Sequence, residues 1–194
     1  MANKPKNQEN NVSSRENLKR KKRVCVRAKR RRIASTEKEE QNILDESCFD
    51  FVAYAIGCGE DCSPWRGVAA YQTVSVEDGE MSEIRSKFLK DVTSNYLHML
   101  AIMSAVNSVP EGVKVLVYSQ SVYAVNVLSG KWKAKKHQNL INNYTKIADK
   151  REVSLEWKPF YLMGEFKELK KNIEAMPEMD GVTIKVRHRH EMLK

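Results

Sequence analysis

Two periodicities divide this chain. Residues 51–56 and 67–74 are rich in Val, Ala and Tyr, and the segment between them carries Gly, Pro and Cys, which predicts an antiparallel hairpin. Glu77-Asp-Gly-Glu80 supplies the next turn, because Asp-Gly tolerates the positive backbone angles of tight hairpins, and residues 83–89 complete a three-stranded meander. From Ser94 the period changes: Tyr96, Met99, Leu100, Met103 and Val106 recur at helical spacing, with Thr93 or Ser94 as the N-cap. His98 lies off that stripe beside Ala101, Ile102 and Ala105, where packing and a backbone partner are expected to satisfy it. Pro110-Glu-Gly112 stops the helix, and residues 113–118 read as a short buried strand. A strand leading through a helix to a neighbouring strand predicts a parallel centre to the sheet. Residues 121–128 then predict a short helix ended by Ser129-Gly130. Residues 153–157 predict a last strand, residues 164–173 a helix, and the alternation in residues 181–190 an edge strand or a basic arm. The expected class is α/β, a mixed five-stranded sheet with flanking helices.

Composition adds a tail. Of the formal net charge of +9, residues 1–36 carry a surplus of +11, from 13 Lys and Arg against Glu9 and Glu16, and the rest of the chain carries −2. Ten basic residues fall between positions 19 and 32, with no apolar periodicity, so this segment cannot bury enough surface to fold alone and is expected to be disordered. Two clusters stand out: Lys19, Arg20, Lys21, Lys22 and Arg23, then Arg27, Lys29, Arg30, Arg31 and Arg32. Their spacing suits a bipartite nuclear import signal, read by an import receptor, and equally an arginine-rich RNA-binding arm whose contacts with phosphates release counterions. The charge reverses at Ser35-Thr-Glu-Lys-Glu-Glu40, a linker. The expected organisation is therefore a disordered basic tail and linker at 1–42, a folded domain at 43–180 and a C-terminal extension at 181–194.

No apolar stretch approaches the roughly 20 residues that span a bilayer, and the N-terminus lacks the hydrophobic segment of a secretory signal. The expectation is a soluble protein of the nucleus, the cytoplasm or both, with no membrane partner. Cys25, Cys48, Cys58 and Cys62 are too few and too irregular for a disulfide scaffold. Cys58 and Cys62 make half of a zinc site at best, with His188 and His190 as remote candidates for the other half; no metal or cofactor is expected.

Order and local pattern together resemble ribonuclease H from about Phe51 to Trp157. Phe51-Val-Ala-Tyr-Ala-Ile-Gly-Cys58 resembles the family's first strand and glycine turn, and Thr93-Ser-Asn-Tyr-Leu-His-Met-Leu-Ala101 the start of the helix that supplies a glutamate. Leu116-Val-Tyr-Ser-Gln-Ser-Val-Tyr-Ala124 resembles the strand and helix start around the family's aspartate-serine pair. His137-Gln-Asn-Leu-Ile141 and Val153-Ser-Leu-Glu-Trp157 resemble the late helix and last strand. Inactive modules of this kind are familiar in retroelement and viral proteins, which is the type the chain resembles.

The resemblance implies a nuclease that cuts the RNA strand of RNA/DNA hybrids with two hard divalent ions, which need clustered carboxylates. At the matching positions this chain holds Ile56, His98 and Gln120. Ile56 ligates nothing, Gln120 has only a neutral carbonyl oxygen, and a histidine nitrogen suits zinc or copper better than magnesium. Asp50, Glu60 and Asp61 are the nearby acids; Asp50 stands at the wrong end of the first strand, and solvated loop acids account for the other two. Catalysis is therefore expected to be lost. An active magnesium-dependent nuclease using Glu60 or Asp61 is the less favoured alternative.

Binding can outlast cutting, because backbone recognition uses shape and phosphate contacts. Lys131, Trp132, Lys133, Lys135 and Lys136 form the domain's own basic and aromatic cluster, about where some ribonuclease H proteins carry a basic protrusion. Trp132 stacks on a base or sugar while the lysines meet phosphates, or else it anchors the core and the lysines are a solvated face. The expected partner is RNA or an RNA/DNA hybrid. The alternative function is a protein interaction adaptor on the same fold, with the tail serving import alone. Arg31-Arg-Ile-Ala-Ser35 resembles a basophilic kinase site. Phosphate there adds about −1.5 to −2 charges beside the arginines. Ser35→Glu is expected to weaken polyanion binding at low salt, and an unchanged affinity counts against that role.

Overall fold

The computed structural model describes residues 44–60 and 66–179. Five strands form one sheet: β1 (Phe51–Gly59), β2 (Arg66–Ser75), β3 (Arg85–Lys90), β4 (Lys114–Ser119) and β5 (Glu152–Trp157), in the order β3-β2-β1-β4-β5. The first three make the expected antiparallel meander, and β1, β4 and β5 run parallel. Four helices flank the sheet: α1 (Ser94–Ser108), α2 (Val122–Leu128), α3 (Gln138–Ala148) and α4 (Gly164–Glu174). No described helix is long and apolar enough to cross a membrane. The tail clusters, the linker, Cys25, Asp61, Cys62 and the 181–194 extension lie outside the described residues.

The two faces of the sheet differ in side-chain size. On β1, Ala53 and Ala55 face a core built with α1, α2 and α3, whereas Val52, Tyr54, Ile56 and Cys58 alternate onto the side of α4. Phe166, Leu169 and Ile173 of α4 are fully buried there, each contributing about 1.5–3 kcal/mol of apolar burial. Small residues on the other face let α1 lie close. A Cβ built on Gly57 would stand 2.4 Å from the His98 nitrogen and 2.6 Å from the Leu97 carbonyl carbon.

Gly57 is therefore not the turn that the sequence suggests. It pairs with Ala69 inside a strand that continues to Gly59, because its missing side chain is what the helix backbone needs. The stripe on α1 is corrected in part: Met99, Leu100 and Val106 are buried as expected, but the buried surface is wider and shifted. Tyr96 and Met103 are only partly buried, while Leu97, His98, Ala101, Ile102 and Ala105 are buried. Apolar residues surround most of this helix, which packs on the sheet and on both α2 and α3, so spacing alone did not single out the sheet-facing side.

Candidate nucleic-acid interface

The parallel strands β1, β4 and β5 end on one side of the molecule, and α1 begins there. Thr93 caps α1, its hydroxyl oxygen accepting the Tyr96 N–H at 3.3 Å. Ser121 does the same for α2, accepting from Ala124 N–H at 3.1 Å. These caps fix where the chain passes from β3 into α1 and from β4 into α2, and so fix the end at which Ile56, His98 and Gln120 stand.

The structure relates these three positions through the backbone. The Gly57 N–H donates to His98 Nδ1 at 2.9 Å, so packing and a backbone partner satisfy His98 as expected. Ala55 pairs with Ser119, the last residue of β4, so Gln120 follows beside Ile56 of β1. Their side chains do not form one cluster. Ile56 is fully buried on the α4 side of the sheet, while His98, 7% exposed, lies on the α1 side. Burial pushes the His98 pKa down to about 4, so the ring is neutral near neutral pH, and a neutral ring that accepts at Nδ1 carries its proton on Nε2. The Gln120 carbonyl accepts the Trp157 indole N–H at 3.0 Å, which pins the residue across to β5.

The nearby acids and the cysteine are engaged elsewhere. Both Glu60 oxygens accept from the Arg66 guanidinium, at 2.7 and 3.2 Å, and these hydrogen bonds hold the carboxyl below its ordinary pKa. Asp50 accepts the Lys114 N–H at 2.7 Å at the amino end of β1, the far end from the positions above. Cys58 is packed in the α4-side core, where burial pushes its thiol up to about 12, away from the thiolate that zinc needs.

The basic and aromatic cluster forms the loop from α2 to α3. Gly130, at φ +75°, turns the chain out of α2, and Lys131, Lys133, Lys135 and Lys136 are all exposed. Trp132 is 49% exposed, so it is not a core anchor. Its backbone N–H donates to the Asn126 carbonyl at 2.9 Å, and its ring packs edge-to-face on Tyr123 with centroids 6.4 Å apart. At the end of the loop His137 adopts a left-handed φ of 64° and sets its ring 5.2 Å from that of Tyr96 in the first turn of α1. The loop is thereby tied to the end of the sheet where Gln120 stands. Sequence reasoning missed Tyr123, Trp157 and the half-exposed Tyr161. Only Tyr123 had a signal, as an aromatic in the first turn of the helix that opens beside Gln120.

No protein-family model matches the chain, and no curated protein sequence does. Solved structures do. The N-terminal RNase H domain of a Mycobacterium tuberculosis protein, solved as a fusion with maltose-binding protein, superposes with a TM-score of 0.54 at 17% identity, over 61% of this chain and 94% of that one. RNase H1 from the halophilic archaeon Halobacterium salinarum NRC-1 gives 0.53 at 15% identity, over 61% and 92%. The fold is ribonuclease H-like, the α/β class expected from the sequence.

The resemblance read from the sequence implies a pair of hard divalent ions, and the residues it sets at their positions, Ile56, His98 and Gln120, do not fit them. Ile56 has no lone pair, Nδ1 of His98 is occupied by a backbone N–H, and Gln120 is uncharged. Among the described residues no three His, Cys, Asp or Glu side chains group closely enough to hold a metal ion.

Proposed function

We propose that this chain is a catalytically inactive ribonuclease H-like module that binds RNA or an RNA/DNA hybrid. Lys131, Trp132, Lys133, Lys135 and Lys136 form its docking surface, and the basic arm at residues 19–32 adds affinity, directs nuclear import, or both. The observation that carries this reading is the exposed loop of four lysines around a half-exposed tryptophan, tied through His137 and Tyr96 to the end of the sheet where Gln120 stands. Lysines meet phosphates without reading sequence, so affinity is electrostatic and falls as salt rises. The loss of cutting follows from the donor set, since Ile56, a backbone-engaged His98 and a neutral Gln120 replace the anionic oxygens that hard ions need.

A fluorescent RNA/DNA hybrid titrated with the full chain in magnesium tests both halves. It is expected to bind and to stay intact. Replacing Lys131, Lys133, Lys135 and Lys136 together by Ala is expected to lower the slope of log affinity against log salt by about 3 to 4, close to one per lost phosphate contact. Cleavage in magnesium overturns the inactive reading, and an unchanged slope removes the loop from the interface.

A further inference from the structure

We propose that this surface takes single-stranded nucleic acid in preference to a paired hybrid, with an unpaired base stacked on Trp132. The proposal rests on the nucleic-acid-binding reading above and narrows its ligand. In a duplex the bases are stacked on one another and offer a protein ring only groove edges and sugars, whereas a single strand offers base faces. The chemistry displayed here suits the second ligand.

Trp132 leaves about half of its surface in water although it is held in place from two directions. Tyr123 backs the ring, and the backbone N–H is tied to Asn126. A large aromatic that is exposed yet fixed has little conformational freedom left to lose when a base settles on it. Exposed lysines on both sides, Lys131 and Lys133 next to it and Lys135 and Lys136 beyond, supply cations for the phosphates of the same strand. An exposed ring held in place and flanked by lysines is the kind of surface on which an unpaired base stacks while its phosphates meet cations.

The test uses the full chain and three probes: an RNA strand of about 12 nucleotides, the complementary DNA strand, and the hybrid made by annealing them. The strands are expected to bind at least about tenfold more tightly than the hybrid. Trp132→Ala is expected to weaken strand binding by about tenfold or more at every salt concentration and to leave the salt slope unchanged, because stacking releases no counterions. Trp132→Phe keeps a ring and is expected to recover most of the loss, and circular dichroism checks that both variants remain folded. A hybrid that binds as well as the strands, or a Trp132→Ala protein with unaltered strand affinity, overturns this proposal while leaving the broader reading standing. If no probe binds at low salt, both fall.

Discussion

Gly57→Ala is expected to destabilise the fold by about 4 kcal/mol, the sum of overpacking and a lost buried hydrogen bond. The added methyl would stand 2.4 Å from the His98 nitrogen, 2.6 Å from the Leu97 carbonyl carbon and 2.8 Å from the Leu97 Cβ. Two of these are backbone atoms within the first turns of α1, so no rotamer change relieves the clash and the helix must lift from β1. Lifting breaks the 2.9 Å bond from Gly57 N–H to His98 Nδ1 and leaves both groups buried without a partner. For a domain of this size the melting temperature is expected to fall by about 10 °C or more. Gly79→Ala is the comparison. Nothing lies within 4 Å of a Cβ at Gly79, so its cost is the left-handed φ of 71° alone, about 1 kcal/mol. Urea unfolding of the two variants decides the matter, and a loss at Gly57 no larger than at Gly79 refutes the close approach of α1 to β1.

Much of this fold was legible because its strands and helices differ in period. The Val-, Ala- and Tyr-rich runs of β1 and β2, the Asp-Gly turn and the Pro110-Gly112 break each act locally, and the structure keeps them within a few residues. What failed was what depends on neighbours distant in sequence. Gly57 looks like a turn residue until α1 is placed over it, and the side of α1 that meets the sheet is hidden because apolar residues surround the helix. His98 was legible as a packed histidine, but its donor, a strand amide 41 residues earlier, was not. The loop at Lys131–Lys136 was readable as basic and aromatic. The half-exposure of Trp132 was not, because it depends on Tyr123 and on a backbone bond to Asn126.

Acidification is expected to weaken the fold through His98 before the carboxylates titrate. In the unfolded chain this imidazole has a pKa near 6.5, whereas burial lowers it to about 4 in the fold. Between those values the unfolded state binds a proton that the folded state refuses, so stability is complete above pH about 6.5 and falls as the pH drops toward 4. The full loss is on the order of 3 kcal/mol, and about 2 kcal/mol of it is expected between pH 6.5 and 5, where most carboxylates are still ionised. The native ring resists protonation for a geometric reason. Nδ1 accepts the Gly57 N–H, so a second proton would set two donors against each other in a site only 7% exposed. His98→Gln keeps an acceptor without the titration. Urea midpoints measured at pH 7, 6 and 5 are expected to fall with pH in the natural chain and to fall much less in the variant. Parallel pH profiles in the two proteins would show that His98 is open to protons, and with it that the end of the sheet beside Gln120 is not sealed by α1.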